Sequence, residues 1–158
     1  MPNKDTNIPM DKLKITKPKG SLAKTRSAKQ SAPLAHGVGR RKSSVARVYI
    51  RRGTGKILVN DQEYATYFTT DIARLDATKT FKALKTTAYD VTADVSGGGI
   101  NGQAGALRLG IARAMVSLDE NLRSLLRSFD LLTVDSRVKE RKKYGQKAAR
   151  RKFQFVKR

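Results

Sequence analysis

Val45-Ala46-Arg47-Val48-Tyr49-Ile50-Arg51 alternates without a break. Successive side chains of an extended chain point to opposite faces, so Ala46, Val48 and Ile50 share one side and Arg47, Tyr49 and Arg51 the other. The stretch reads as a half-buried strand whose outer face is basic. Gly53-Thr54-Gly55-Lys56 then makes a turn, and Ile57-Leu58-Val59 is expected to return beside the first strand as a hairpin, closed by Asn60 and Asp61.

C-terminal to this pair the period changes. Residues 71–86 read as a helix, with Asp71 as its cap and Ile72, Leu75, Phe81 and Leu84 as its apolar set. Ala88 to Val95 alternates again, placing Tyr89, Val91, Ala93 and Val95 on one face. A glycine-rich loop, Ser96-Gly97-Gly98-Gly99-Ile100-Asn101-Gly102, leads into a second helix with Ala104, Leu107, Ile111, Ala114, Met115 and Leu118 at helical spacing. Asn121 is expected to cap a third, shorter helix carrying Leu122, Leu125, Leu126 and Phe129. The order strand, strand, helix, strand, helix, helix predicts an α+β fold, a small sheet packed with helices.

The charge lies outside this domain. Of 158 residues, 34 are Lys or Arg and 13 are Asp or Glu, a formal net charge of +21. Residues 57–133 hold eight basic and nine acidic residues and are close to neutral. Residues 37–56 hold seven basic residues and no acid, and residues 134–158 hold eleven against only Asp135 and Glu140. A neutral body with basic flanks suits a protein docked at defined places on a polyanion. The chain therefore divides into a basic N-terminal extension over residues 1–36, a globular RNA-binding domain over residues 37–133 and a basic tail over residues 134–158. All four prolines fall in residues 1–36. The tail has no apolar pattern, so when free it is expected to be disordered, and the N-terminal extension likewise. Tyr144, Phe153 and Phe155 among the tail charges offer flat surfaces for stacking on bases, which points to RNA.

Other classes drop away on composition. Zero cysteines exclude disulfides and thiolate metal sites, and the single histidine, His36, leaves the usual zinc ligand sets unbuildable. No apolar run approaches the roughly 18 residues of a membrane span, and no signal-peptide stretch opens the chain.

Two features carry candidate chemistry. Arg40, Arg41 and Lys42 precede the first strand, and Arg47, Arg51, Arg52 and Lys56 continue the charge along it, a candidate track for phosphates. The Gly97–Gly102 loop matches G-x-G-x-x-G between a strand and a helix. A dinucleotide site would need a following strand and a carboxylate for the ribose, and neither is present. Two readings stay open: a tight strand-to-helix turn built on glycine, or a nucleic-acid phosphate resting on the helix N-terminus at Gly97, Gly98 and Gly99, with Gln103 as a further donor. No cofactor is expected on either.

Gly39-Arg40-Arg41-Lys42-Ser43-Ser44-Val45-Ala46-Arg47-Val48, the glycine loop with Gly102-Gln103-Ala104-Gly105-Ala106, Gly110-Ile111-Ala112-Arg113-Ala114, and Glu140-Arg141-Lys142-Lys143-Tyr144-Gly145 ending in Lys157-Arg158 resemble ribosomal protein nine of the small subunit, bacterial type. The resemblance covers residues 37–158, with Val134 and Val156 departing from the family's usual Arg and Ser. It implies a fold like the second domain of ribosomal protein five, often with a left-handed crossover. It implies a non-enzymatic structural role in the small-subunit head, on the 3′ major domain of the ribosomal RNA and beside neighbouring head proteins. The RNA contacts would fall to Arg40, Arg41, Lys42, Arg47, Arg51, Gly97, Gly98, Gly99 and Gln103, and in the tail to Arg141, Lys142, Lys143, Lys147, Arg150, Arg151 and Lys152. Lys157 and Arg158 would reach the backbone of the P-site tRNA. The location implied is the cytoplasmic ribosome, with an organellar ribosome as the alternative.

Three other classes compete for a basic chain of this size. A DNA-compacting protein would need a groove-reading helix or an oligomerisation zipper. A phosphate-transferring enzyme would need carboxylates near the glycine loop for a metal, and the first acid after it is Asp119. A membrane-active peptide would need an amphipathic tail, whereas residues 139–158 are basic on all sides. Neither a membrane nor a small-molecule substrate is expected as a partner.

Overall fold

The computed structural model describes residues 32–154, which lie within one compact unit, Ser31–Arg158. The expected N-terminal extension falls outside the described residues up to residue 31, as do residues 155–158, including Lys157 and Arg158. In chain order the elements are β1 (Ala35–Arg41), β2 (Ser44–Arg52), β3 (Ile57–Val59), β4 (Gln62–Glu63), α1 (Tyr64–Tyr67), α2 (Asp71–Leu84), β5 (Tyr89–Ser96), α3 (Ile100–Leu118) and α4 (Leu122–Ser128). The fold is α+β, a five-stranded mixed sheet in the order β1-β2-β5-β3-β4.

The alternation read in residues 45–51 holds. Ser44, Ala46, Val48 and Ile50 are buried, and on β5 so are Val91, Ala93 and Val95. The expected hairpin between β2 and β3 does not form. β5 runs between them, antiparallel to β2 (Val48 opposite Ala93) and parallel to β3 (Leu58 opposite Thr92). The Gly53–Lys56 turn carries the chain one strand further out. Gly53 N–H donates to Ala88 O at 3.0 Å and Val91 N–H to Lys56 O at 2.8 Å. A strand formed some 30 residues later takes the central place, a non-local pairing that leaves no local trace. Asn60 and Asp61 close a different hairpin, β3 with β4, both in the left-handed region at φ 48° and 65°, as a tight two-residue turn requires.

β1 stands ahead of the strand that the alternation marks as the first. Its inward positions are Ala35, Gly37 and Gly39, and glycine presents no apolar side chain for a periodicity to register. The glycines serve packing. A β-carbon on Gly37 would meet Ala114 N at 2.6 Å, and one on Gly39 would meet Gly110 N at 2.5 Å and collide with Ala106 O. The backbone of β1 thus lies directly on α3, against a stripe of Ala106, Gly110 and Ala114. The buried face of α3 (Ala104, Leu107, Ile111, Ala114, Met115) is the one its spacing predicted.

In α2 the expected apolar set packs only in part, Phe81 and Leu84 lying partly buried against the core. Ile72 and Leu75 are 69% and 56% exposed, and the buried positions are Ala73, Ala77 and Thr80. Small residues at i, i+4 and i+7 let α2 approach α3 closely, where Thr80 Oγ1 donates to Arg108 O at 3.2 Å. Thr70, not Asp71, precedes the first turn; Asp71 pairs with Arg74 at 3.0 Å. Asn121 occupies the N-cap of α4 without a side-chain cap bond, and of that helix's apolar residues Leu126 is fully buried while Leu125 and Phe129 are exposed.

Gly39→Ala is expected to lower stability by roughly 3 kcal/mol, because the new methyl meets backbone and has no flexible neighbour to displace. Gly99→Ser is expected to be neutral or slightly stabilising: its φ is −122°, nothing lies within 4 Å of the added carbon, and serine is a favoured N-cap. Urea unfolding of the two variants checks the contrast.

Candidate nucleic-acid interface

The β1–β2 hairpin turns through Lys42, at φ 54°. Register places Arg41 opposite Ser44, so Arg40, Arg41 and Lys42 come together at one end of the sheet. The glycine loop arrives at the same end. Gly97 and Gly98 have φ of 73° and 64°, and a β-carbon on Gly97 would lie 2.6 Å from Ser43 O. Ser44 Oγ donates to Gly97 O at 3.1 Å. These two glycines therefore bring the start of α3 against the hairpin turn, as the tight-turn reading requires.

The start of α3 is open. Gly99 precedes it with no side-chain cap, leaving first-turn N–H groups without the capping acceptor that many helices supply. A concavity of about 380 Å³ sits there, lined by Lys42, Thr70, Gly99, Ile100, Asn101 and Gly102. It combines the positive end of a 19-residue helix, a lysine and no carboxylate, the electrostatics of a phosphate site.

Gln103 is already engaged. Its Nε2 donates to Gly97 O at 3.2 Å and its Oε1 accepts from Tyr67 OH at 2.9 Å. Asn60 extends this chain, donating through Nδ2 to Val95 O at 2.9 Å and accepting from Val95 N–H at 2.8 Å. Gln103 thus ties the glycine loop to α1, and Asn60, which also donates to Tyr67 OH at 3.4 Å, ties the end of β3 to β5.

Arg41 is turned inward. Its side chain is 20% exposed and crosses Gly105, where a β-carbon would touch its guanidinium at 2.8 Å. Nη2 donates to Asp135 Oδ2 at 3.2 Å, Nη1 donates to Asn101 O at 3.3 Å and lies 3.6 Å from Asp76 Oδ2, and Asp76 also receives Arg108 at 3.1 Å. Four segments meet at this cluster: β1, α2, α3 and the root of the tail. Sequence spacing held no sign of it, since its members lie up to 94 positions apart.

On the outer face of the sheet, Arg47 and Arg51 run down β2 as the alternation predicted, and Arg40 joins them from β1. The insertion of β5 adds acids to that face: Asp94 stands opposite Arg47 and Asp90 opposite Arg51. Arg51 donates to Thr92 Oγ1 at 2.9 Å. Asp90 Oδ1 accepts the backbone N–H groups of Thr54, Gly55 and Lys56 at 2.8–3.0 Å, and the Lys56 N–H chiefly holds its carboxyl below the usual range. The basic track is therefore strongest at its Arg40–Lys42 end.

Described tail residues 134–154 form neither helix nor strand. Both acids of the tail are used inside the protein. Asp135 is bound by Arg137, through side chain and backbone, and by Arg41; Glu140 is clamped by the fork of Arg150. Lys147 N–H donates to Arg151 O at 2.9 Å and its ammonium lies 5.6 Å from the Phe153 ring centroid. Arg141, Lys142, Lys143, Lys147, Arg150, Arg151 and Lys152 are all solvent-exposed, with Tyr144 95% exposed among them. With the acids occupied, most of the tail's charge faces outward.

Residues 39–158 match the family described as ribosomal protein S9/S16. Over 126 residues, 79% of this chain, it is 52% identical to the small ribosomal subunit protein uS9 of Borreliella burgdorferi (strain ZS7), covering 93% of that protein. It is 47% identical over the same length to the small ribosomal subunit protein uS9 of Cytophaga hutchinsonii, covering 98% of that protein.

Asp135 supplies a pH-dependent check. The Arg137 side chain, then its backbone N–H, and the charge of Arg41 hold the carboxyl well below the ordinary carboxylate range. A folded-state pKa below the unfolded one means the contact contributes fully above about pH 3.9 and is lost as pH falls through the lower folded value. In an NMR titration Asp135 is expected to stay ionised where ordinary carboxylates are half protonated, and Arg137→Gln to move its midpoint up toward that range. At neutral pH, Asp135→Asn should speed tryptic cleavage after Arg137 and Lys139 with the domain unchanged.

Proposed function

The chain belongs to the ribosomal protein S9/S16 family, of bacterial type, and on that premise we propose how this structural, non-catalytic constituent of the small ribosomal subunit grips RNA. The α3 N-terminus and Lys42 take one phosphate of the small-subunit ribosomal RNA in the concavity they line. Arg40 and the outer arginines of the hairpin, Arg47 first, follow the backbone away from it. The exposed tail cations, Arg141 to Lys143 and Lys147 to Lys152, track a further stretch of RNA, with Tyr144 and Phe153 as stacking surfaces.

One observation carries this reading: an uncapped helix N-terminus and a lysine converge on an acid-free hollow. Arg41 enters it as a positioning residue, holding the tail root against the hairpin turn through Asp135. Gly97 and Gly98 set the approach of the loop, and Gln103 steadies it.

The remaining assignments rest on the family resemblance. They place the domain in the subunit head on the 3′ major domain of the RNA, among neighbouring head proteins, on a cytoplasmic ribosome. The fold follows that of the second domain of ribosomal protein five. The tail beyond its anchor at Asp135 takes its final course on RNA. Lys157 and Arg158 approach the P-site tRNA backbone, where two terminal charges offer attraction without base readout.

Lys42→Gln is expected to weaken binding of the full chain to a transcribed 3′ major domain, and to flatten the log affinity against log salt line by about 0.7–0.9, one phosphate contact. Unchanged slope and affinity would remove the hollow from the interface. Deleting Lys157 and Arg158 should leave subunit assembly intact and weaken P-site tRNA binding to reconstituted subunits by about 1–3 kcal/mol. The loss should shrink as salt rises; filter binding at two salt concentrations measures it.

A further inference from the structure

A second basic concavity lies toward the other end of α3. Ile100 and Ser117 are seventeen positions apart, so at 1.5 Å per residue it stands about 25 Å from the hollow beside Lys42. Its volume is about 520 Å³, and its lining includes Arg113, Ser117, Glu120, Arg123, Arg127 and Thr133. Three guanidinium groups face one carboxylate within a stretch, residues 57–133, that is otherwise close to neutral. Such a local excess is more telling than the same arginines would be in the tail.

Two of the three guanidinium groups are held in place. Arg113 Nη1 donates to Val38 O at 2.7 Å, which ties it to β1 and leaves its other N–H donors for a ligand. Arg123 is steadied by Glu120 at 2.9 Å, and Arg127 lies one turn further along α4, on the same face. Ser117 and Thr133 add hydroxyls, and Val116 and Leu132 add apolar wall. Arginines near helix ends commonly offset the carbonyl dipole. That role accounts for Arg127, in the last turn of α4, but not for three guanidiniums from two helices meeting over a hollow. A fork of donors beside hydroxyls and a small apolar wall matches a phosphate with its ribose.

We propose that this concavity is a second RNA-backbone site, in which Arg113, Arg123 and Arg127 hold a phosphodiester segment about 25 Å from the α3 N-terminus. The proposal rests on the RNA-binding reading above and adds a contact that the basic runs of the sequence do not include. Two sites at opposite ends of one rigid helix would fix the domain's orientation on RNA, which a single hollow and an extended tail do not.

Full-length protein and a transcribed 3′ major domain, titrated by filter binding over a salt series, test it. Arg123→Gln/Arg127→Gln replaces two exposed side chains and should leave the melting temperature in place. It is expected to weaken binding about tenfold and to flatten the salt slope by about 1.4–1.8, two phosphate contacts. Arg123→Lys/Arg127→Lys should recover most of the slope. Wild-type affinity and slope in the Gln pair, with Lys42→Gln weakened in parallel, would overturn this site and leave the RNA reading standing. If both variants bind like the wild type, both hollows leave the interface; a wild-type chain that does not bind the transcript would overturn the RNA reading itself. Normal RNA binding with impaired incorporation into subunits would overturn the site in favour of a protein partner.

Discussion

The structure depends on one close approach, the backbone of β1 against the backbone of α3. Gly37 and Gly39 on the strand and Gly110 on the helix, with Ala106 and Ala114, remove the side chains that normally keep a helix about 10 Å from a sheet. Because β1 is the edge strand and α3 the longest helix, their contact fixes the hairpin relative to the helix axis. It brings the turn at Lys42 to the α3 N-terminus, lays Arg41 across Gly105, and lets Val38 hold Arg113 toward the far end. Both candidate phosphate sites thus inherit their geometry from a contact made of hydrogen and backbone atoms.

Acids in so basic a chain work as organisers. Asp76 receives Arg41 and Arg108, Asp135 receives Arg41 and Arg137, Asp90 gathers three backbone amides at the turn, and Glu140 holds Arg150. The exposed pairs among them, such as Arg150 with Glu140, contribute little stability each. Their effect is positional: a few cations are placed by carboxylates, and the others face solvent with few counter-charges. A surface of that kind binds a polyanion with strong salt dependence and little need for base readout.

Polar side chains make the second link between the glycine loop and the sheet. The chain Asn60, Tyr67, Gln103 to Gly97 joins β3, α1, α3 and the loop. Gln103, which by sequence could donate to a phosphate, sits inside this chain with both ends of its amide engaged. The loop's phosphate chemistry is left to the helix terminus and Lys42.

By itself the sequence determined the alternation of β2 and β5, the buried face of α3, the neutral domain between basic flanks and the family. Each is written in neighbouring residues or in composition, where a period of 2 or 3.6 or a charge density can be counted. The tertiary structure alone decided that β5 lies between β2 and β3, that α2 buries Ala77 and leaves Ile72 in solvent, that Arg41 turns inward, and that Arg113, Arg123 and Arg127 converge. Strand order depends on a pairing made about 30 residues away, and β1 escaped notice because glycine has no side chain to mark a face. A helix that packs through alanine and threonine hides its contact side behind its larger residues, and an ion-pair cluster forms only once four distant segments have been brought together.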